Sequence, residues 1–509
     1  MLAWLALSLA IAAWIFVHSE REVDIASHEA VISPNLSGEV VLDTGPVLPD
    51  FRASSGSWVG MDIVLGKTEA TSMQELTARY ATIASQPDGQ VAVAVRALKT
   101  MAYAALVQGL VLGALPFLLV VLVGKERWRS LLHNVRSRRG AVAVVVVGAM
   151  VALIVVPYGW GRNEPEERAW VSLGEYVGPD VDLPPEAKGV EIQSNVMAGE
   201  TKRLIGSALD SYRQGLDFYR KAADDAADLA LRTPDDDEVV VLLVSDRHLN
   251  VGMDKVARAI ADRAKATAVF DAGDDTSTGA RWEAFSLDSV STAFEDLDRW
   301  AVAGNHDNGS FVRQHMEDLG WTYFDGEVLD GPDGGRILGV DDPRSSGLGN
   351  WRDEKGLSSR DVADRLTEAV CDADADGDRV NTLLVHDADF GDQALERGCV
   401  DLVIGGHTHV TSGPTAVIGD NDVVGYTFTV GTAGGAAYAI AIGSKLRRAA
   451  DVALLTYRDG RPIGIQDVML QTNGRFHVGE WTELTYEAGA DDVGTGAGTG
   501  GGATPGPRR

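Results

Sequence analysis

The chain is poor in cysteine, proline and positive charge, and each shortage excludes a class of protein. Two cysteines in 509 residues are too few for a disulfide-stapled scaffold or a zinc module built from cysteine alone. The 17 prolines and 57 glycines are too few for a fibrous or wholly disordered chain. Lysine and arginine number 45 against 74 aspartates and glutamates, and the resulting net charge of −29 disfavours nonspecific binding to nucleic acid.

Charge is distributed unevenly along this largely apolar chain. Hydrophobic residues make up 45% of the sequence, which is ample for a large core and predicts about two to four domains. Residues 1–160 carry 12 basic and 12 acidic side chains, whereas residues 161–509 carry 33 and 62. The sequence thus divides into a neutral, apolar front and a strongly acidic body.

Three runs without a charged residue lie in the front, at Leu2–Val17, 102–123 and 141–158. A helix needs about 20 apolar residues to cross a bilayer, so the second and third runs are long enough and the first is marginal. The first run lacks the basic residues that precede the apolar part of a signal peptide, so we interpret it as a retained anchor. We therefore predict transmembrane helices at residues 1–17, 102–123 and 141–158.

The loops predict an orientation for these helices. Residues 124–140 hold six lysines and arginines in 17 positions, whereas residues 18–101 hold six in 84. Because basic loops stay on the cytoplasmic side, residues 124–140 are predicted to be a cytoplasmic loop. Residues 18–101, which we interpret as a small β-containing domain, and everything after residue 158 would then be extracytoplasmic. The opposite topology, with the body in the cytoplasm, is the competing arrangement.

The acidic body has the pattern of an α/β domain. Residues 159–238 are predicted as a linker and helical segment, and residues 489–509, rich in glycine, threonine and alanine, as a disordered tail. Helical segments at 252–264, 287–298 and 359–370 alternate with five predicted buried strands, at 239–245, 267–271, 300–303, 382–385 and 402–404. Such alternation predicts a ligand site at the carboxyl ends of the strands.

Side chains able to bind metal follow each of the five predicted strands. They are Asp246 and His248, then Asp274, then Asn305 with His306 and Asp307, then His386, and finally His407 and His409. Five such clusters at strand ends are more than chance placement of polar loop residues would give. Carboxylate, amide and imidazole ligands together suit Mn, Fe or Zn better than calcium. The Asp274 carboxylate could bridge two ions about 3.5–4 Å apart.

The order of these motifs over residues 239–480 resembles the calcineurin-like metallophosphoesterase superfamily. The resemblance implies a four-layer α/β/β/α sandwich, here preceded by transmembrane helices. It also implies two metal ions, one held by Asp246, His248, Asp274 and His409 and the other by Asp274, Asn305, His386 and His407. His306 would contact the phosphate and donate a proton. Asp307 would orient His306, or it would serve only as a helix cap or surface-turn carboxylate.

The resemblance implies a metal-dependent enzyme that hydrolyses phosphate monoesters, diesters or pyrophosphates, and the predicted transmembrane helices and basic loop make it membrane-anchored and extracytoplasmic. The expected partners are the lipid bilayer and a phosphorylated small-molecule or lipid substrate, with no nucleic acid; the oligomeric state is not predicted. A noncatalytic membrane sensor or scaffold that binds metal or a phosphorylated ligand is the alternative. Turnover is favoured because a suitable side chain is present at all seven ligand positions and His306 is present as well.

Two features leave alternatives open. Cys371 and Cys399 both lie shortly before predicted strands, and an extracytoplasmic location would permit a disulfide between them. Arg344 could contact a substrate phosphate, but we prefer to interpret it as an ordinary loop arginine.

Overall fold

The computed structural model describes residues 2–44, 50–68, 88–123, 169–178, 189–193, 199–324, 326–347, 350–353, 356–436 and 445–486. The predicted loop at 124–140, the predicted span at 141–158 and the predicted tail at 489–509 lie outside the described residues. The described residues form two units, which we name the front module (residues 2–193) and the body (residues 199–486).

Seven short strands of the front module form one sheet. They are β1 Arg21–Ile25, β2 His28–Asn35, β3 Glu39–Asp43, β4 Phe51–Ser54, β5 Gly60–Thr68, β6 Trp170–Ser172 and β7 Glu191–Gln193. Their order in the sheet is β1-β2-β5-β3-β4-β7-β6. Strands β6 and β7 come from the segment predicted as a linker, and they join the sheet because Ile192 is fully buried in an apolar cluster with Leu173 and Phe51.

Two long apolar helices belong to the front module, α1 Leu2–Val17 and α2 Asp88–Val123. The first half of α2 packs on the sheet, where Ala94 and Ala97 are buried against Ile32 and its neighbours. Among the described residues, one helical stretch, Gly89–Leu118, is long and apolar enough to cross a membrane, and the apolar part of α1 is shorter. A short helix, α3 Leu173–Val177, is capped by the Ser172 side chain.

The second half of α2 lies against α1 at very short range. A methyl group at Gly109 would lie 2.6 Å from Ala12 Cβ, and one at Gly113 would lie 3.0 Å from Ser8 Cβ. Larger side chains at these glycines would therefore push the two helices apart. Small residues four positions apart at a helix contact are typical of helix pairs in membranes.

The body contains fifteen described strands arranged in two large sheets and one hairpin. In chain order they are β8 Val239–Val244, β9 Ala268–Asp271, β10 Asp298–Ala301, β11 Leu329–Asp330, β12 Arg336–Val340, β13 Arg344–Gly347, β14 Asn350–Asp353, β15 Val380–Val385, β16 Val400–Gly405, β17 Ser412–Ile418, β18 Val424–Thr429, β19 Ala450–Arg458, β20 Arg461–Leu470, β21 Phe476–Val478 and β22 Thr482–Glu483. The first sheet has the order β10-β9-β8-β19-β20-β21, with β22 beside β20. The second has the order β11-β12-β15-β16-β18-β17, and β13 pairs with β14.

Helices cover the outer faces of both sheets. They are α4 Gly199–Ala226, α5 Gly252–Ala264, α6 Ala284–Ala293, α7 Phe311–Asp318, α8 Ser359–Ala375 and α9 Asp392–Glu396. One core lies between α4–α7 and the first sheet, a second lies between the two sheets, and a third lies between the second sheet and α8–α9. The predicted α/β class is confirmed.

A disulfide joins α8 to the loop before β16. Cys371 lies in α8 and Cys399 directly precedes β16, and their Cα atoms are 5.0 Å apart. The sequence left open whether these two cysteines form a disulfide, and in the structure they do.

Candidate metal centre

The predicted ligands follow strands that end at one edge of the sandwich. In the first sheet β8, β9 and β10 are parallel neighbours, and in the second sheet β12, β15, β16 and β18 run parallel. Asp246 and Asp274 come two and three residues after β8 and β9, and His386 comes directly after β15. Two groups of ligand atoms meet at this edge: Asp246 with His248 and His409, and Asp246 with Asp274 and His386.

The backbone at the site is held in an unfavourable conformation. Five of the seven predicted ligands have a positive φ, namely Asp246 (54°), His248 (45°), Asp274 (59°), His407 (67°) and His409 (59°). Residues other than glycine rarely adopt this left-handed conformation, which costs about 1–2 kcal/mol per residue. Strain of this kind collects at functional sites, where the surrounding structure imposes it to direct side chains.

The first group brings lone pairs together. His248 Nδ1 lies 3.1 Å from the carbonyl oxygen of Thr276, and His409 Nδ1 lies 3.2 Å from that of Ala436. Because a carbonyl can only accept, each Nδ1 carries a proton, and in the neutral imidazole each Nε2 presents a lone pair. These two Nε2 atoms are 3.0 Å apart, and His409 Nε2 is 3.1 Å from Asp246 Oδ1, which has no hydrogen-bond donor among the described residues. Three lone pairs that face one another in this way need a cation between them.

The second group has the same character. His386 Nδ1 donates to the carbonyl oxygen of Ala272 over 2.7 Å, so its Nε2 lone pair faces Asn305 Oδ1 at 3.0 Å and Asp274 Oδ2 at 3.3 Å. Asp274 Oδ2 also lies 3.8 Å from His248 Nε2. One oxygen of Asp274 therefore faces both groups, as a bridging carboxylate requires.

The pKa values of the buried imidazoles shift in opposite directions. Burial lowers the pKa of the His248 imidazole to about 4 and so keeps this ring neutral. Burial alone would also lower the pKa of His386, but the Asp274 carboxylate beside it raises that pKa well above its usual range. Burial alone would raise the pKa of Asp274, whereas His386 brings it far below its usual value. The Asp274 carboxylate therefore holds a proton on His386, and a divalent cation between the two groups would take the place of that proton.

His407 stands apart from the two converging groups. Its backbone N–H donates to Asp246 Oδ2 over 2.8 Å, which ties this loop to the first group. Its ring centre is 5.0 Å from that of His386, and its Nε2 is 3.9 Å from Asp387 Oδ2. The structure brings His407 beside the site, and its role as a ligand stays a prediction.

His306 lies next to the first group with one ring nitrogen fixed. Its ring centre is 5.2 Å from that of His248, and its Nδ1 donates to the carbonyl oxygen of Ser277 over 3.0 Å. Its backbone N–H donates to Asp274 Oδ1 over 2.7 Å. The ring therefore presents Nε2 from a half-buried position at the edge of the site.

The sequence left open whether Asp307 orients His306 or serves as a helix cap or surface-turn carboxylate, and the hydrogen bonds of its carboxylate go to other residues than His306. Its Oδ1 accepts from the backbone and hydroxyl of Thr276, and its Oδ2 accepts from the backbone N–H groups of Asp274 (2.7 Å) and Gly304 (3.0 Å). It is also buried, unlike the surface-turn carboxylate of the other interpretation. Burial, reinforced by nearby carboxylates, raises its pKa to about 8. The side chains of His306 and Asp307 therefore point in different directions. The Asp307 carboxylate connects the loop after β10 to the loop after β9.

Sequence reasoning missed Arg247, which lies between two predicted ligands. Its side chain is fully buried and forms ion pairs with Asp254 at 2.8 Å and Asp275 at 2.6 Å. These two carboxylates compensate the cost of burying the guanidinium and fix the loop after β8 against α5. The charged sequence around it gave no sign of burial.

Arg344 is buried, and its side chain would have to rearrange before it could contact a phosphate. Its guanidinium bonds Asp342 and, over 2.8 Å, Asp387, which follows the predicted ligand His386. The structure therefore agrees with a structural interpretation, although the side chain is buried rather than in an open loop.

The body is similar in sequence to a known protein family. The sequence model of the calcineurin-like phosphoesterase family matches residues 239–411. No curated protein matches the chain. Among solved structures, one described as a novel archaeal phosphodiesterase is 12% identical, covers 47% of this chain and 99% of its own, and superposes with a TM-score of 0.27. Residues 239–411 therefore form a calcineurin-like phosphoesterase domain, the domain of a phosphoric ester hydrolase.

Proposed function

We propose that the protein is a membrane-anchored, extracytoplasmic enzyme that hydrolyses phosphate monoesters, diesters or pyrophosphates at a dinuclear metal site. The observation that carries the proposal is the meeting of three imidazole lone pairs with two buried carboxylates, which repel one another unless cations lie between them. The mixture of oxygen and nitrogen donors suits Mn, Fe or Zn. Such ions, when bound, neutralise phosphoryl oxygens and lower the pKa of water.

The chain supplies two overlapping ligand sets. Asp246, His248, Asp274 and His409 form the first, and Asp274, Asn305, His386 and His407 form the second. The position of Asp274 Oδ2, 3.8 Å from His248 Nε2 and 3.3 Å from His386 Nε2, supports its assignment to both. The carbonyl groups that accept from Nδ1 fix the rings, as is usual for histidines that bind metal.

His306 handles the proton of the leaving group. Because its Nδ1 is engaged by Ser277, any proton it gives to or takes from the substrate must be at Nε2. Its ring stands beside His248 but belongs to neither converging group, so it can face the substrate instead of a metal.

Membrane anchoring is supported by the surface of the front helices. The described residues include 18 exposed large hydrophobic side chains, and eleven of them lie in α1 or in residues 102–123 of α2. A patch of that kind on a soluble protein would promote aggregation, whereas it matches the hydrocarbon core of a bilayer. The close α1–α2 contact supports a retained α1.

The sheet of the front module supports a further crossing. Phe51 and Arg52 of β4 pair with Ile192 and Glu191 of β7, so residues before and after α2 share one sheet. An even number of crossings must therefore separate them. If α2 crosses once, the chain must cross again between residues 124 and 168, where the predicted span 141–158 lies. The Cys371–Cys399 disulfide favours an oxidising, extracytoplasmic compartment.

Activity of the full-length protein, purified in detergent with Mn, tests the proposal. Chromogenic phosphate monoesters and diesters serve as substrates. Asp274→Asn is expected to lose metal and turnover together, because Asp274 faces both ligand groups. His306→Ala should lower turnover about 10²–10⁴-fold with metal retained. Asp217→Asn, an exposed position on α4, is the control. Turnover equal in all four proteins would contradict catalysis at this site, and metal binding without turnover would favour the sensor.

A further inference from the structure

One short loop, residues 276–280, fixes two imidazoles of the site. The carbonyl oxygen of Thr276 accepts from His248 Nδ1 over 3.1 Å, and that of Ser277 accepts from His306 Nδ1 over 3.0 Å. The position of this loop therefore sets both the direction of each ring and the nitrogen that each ring presents.

The side chain of Glu283 accepts hydrogen bonds from three residues of this loop. Its Oε1 accepts from the N–H of Ser277 over 3.0 Å, and its Oε2 accepts from the N–H of Ala280 over 2.8 Å. The N–H and hydroxyl of Thr278 also donate to Oε2, at 3.2 and 2.9 Å. The side chain is fully buried, and among the described residues it forms no ion pair. Burial raises its pKa to about 7. A buried carboxylate is costly, and here four donors compensate that cost.

Two carboxylates, those of Asp307 and Glu283, accept hydrogen bonds from different residues of the loop. Asp307 accepts from the N–H and hydroxyl of Thr276, the residue that fixes His248. Glu283 accepts from the N–H of Thr278, which belongs to the same planar peptide unit as the Ser277 carbonyl that fixes His306. It also accepts from the N–H of Ser277, whose peptide unit contains the Thr276 carbonyl that fixes His248. A single peptide unit thus separates Glu283 from each ring.

We propose that Glu283 is a positioning residue that acts on His306 through Ser277. The proposal rests on the catalytic role of His306 proposed above. Glutamine at this position keeps the size of the side chain but has a single acceptor oxygen for the four donors. Glu283→Gln therefore weakens the hold on the two peptide units whose carbonyls fix His306 and His248.

A double-mutant cycle on the full-length Mn-loaded protein tests this link. Glu283→Gln is expected to lower kcat about tenfold, the effect of one misplaced hydrogen bond, with KM unchanged. In the His306→Ala background the same change should lower kcat less, because only its action on His248 remains. Glu238→Gln is the matched control, since Glu238 is an inaccessible carboxylate next to the amino end of β8, at the opposite end from Asp246.

The outcomes separate the link from the proposed function. An equal loss in both backgrounds, or an unchanged kcat in Glu283→Gln, overturns the role of Glu283. Wild-type turnover in His306→Ala alone contradicts the proposed role of His306 instead. Should Glu283→Gln not fold, Thr278→Val removes only the hydroxyl contact to Oε2, and its loss in kcat, about two- to threefold, must also be smaller in the His306→Ala background.

Discussion

Backbone carbonyls set the imidazoles of the site. The Nδ1 atoms of four histidines, His248, His306, His386 and His409, each donate to one, in the order Thr276, Ser277, Ala272 and Ala436. Each ring therefore presents Nε2 to the pocket. The backbone carbonyls therefore set the tautomer of each ring before any ion binds. The entropy lost when the rings are oriented is lost on folding and not on metal binding.

The carboxylate of Asp307 should matter through the backbone it holds. In Asp307→Asn one acceptor oxygen becomes an NH₂ donor, which must face either Thr276 or the N–H groups of Asp274 and Gly304. We expect metal content to fall and the free energy of unfolding to drop by about 1–3 kcal/mol. Metal analysis and urea unfolding measure the two effects, with the exposed Asp318→Asn as control. Full metal content in Asp307→Asn would show that the contact is dispensable.

The sequence identified residue types but not their directions. Asp246, Asp274 and His386 could be predicted because each follows a recognisable strand. The contact of Asp307 with the backbone of residues 274–276, and the burial of Glu283, depend on partners in another loop and on side-chain direction. The spacing of residues along the chain predicts neither the partner in another loop nor the direction of a side chain.

At the scale of elements, apolar strands and helices were predicted, whereas the exposed edge strand β17 was not. The five predicted buried strands are all present with ends within two residues, and the helix at 252–264 has the predicted bounds. The helix predicted at 287–298 is shifted to Ala284–Ala293. Strand β17 was not foreseen because most of its residues are exposed, so its sequence shows no apolar run. It is held by backbone pairing with β18, which leaves little trace in side-chain pattern.

The α1–α2 contact can be tested by cross-linking. Because a Cβ at Gly113 would lie 3.0 Å from Ser8 Cβ, the pair Ser8→Cys and Gly113→Cys should form a disulfide on mild oxidation in membranes. Mass spectrometry of proteolytic fragments detects the bond. Leu9→Cys with Gly113→Cys is the control, since the Leu9 side chain is 50% exposed. No cross-link in the first pair, or absence of residues 1–17 from the mature protein, would contradict a retained α1.

At the scale of the whole molecule, α2 connects the apolar front to the catalytic body. It has 36 residues, or about 54 Å of helix. Its first half docks on α6, where Arg96 pairs with Asp288 at 2.7 Å and Gly89 leaves room for the Phe285 ring. Gln90 Oε1 accepts from the backbone of Ala26 in the front sheet. The helix that is apolar enough to enter the membrane therefore also holds the body.

Reporter fusions test the topology that follows. Because β4 and β7 share one sheet, reporters inserted within residues 69–87 and after residue 165 are expected on the same, extracytoplasmic side. A reporter within residues 124–140 should be cytoplasmic. Compartment-specific enzyme activity provides the measurement. Reporters at 69–87 and 165 on opposite sides would contradict the shared sheet, and cytoplasmic signal from both would reverse the orientation.

The claim on which the account depends is that these strand ends hold a pair of cations. Anomalous diffraction from crystals of the Mn-loaded protein measures this directly. We expect two peaks about 3.5–4 Å apart, one beside His248 and His409 and the other beside His386, with Asp274 between them. No peak at this edge of the sandwich, or a single ion that Asp274 does not contact, would contradict the account.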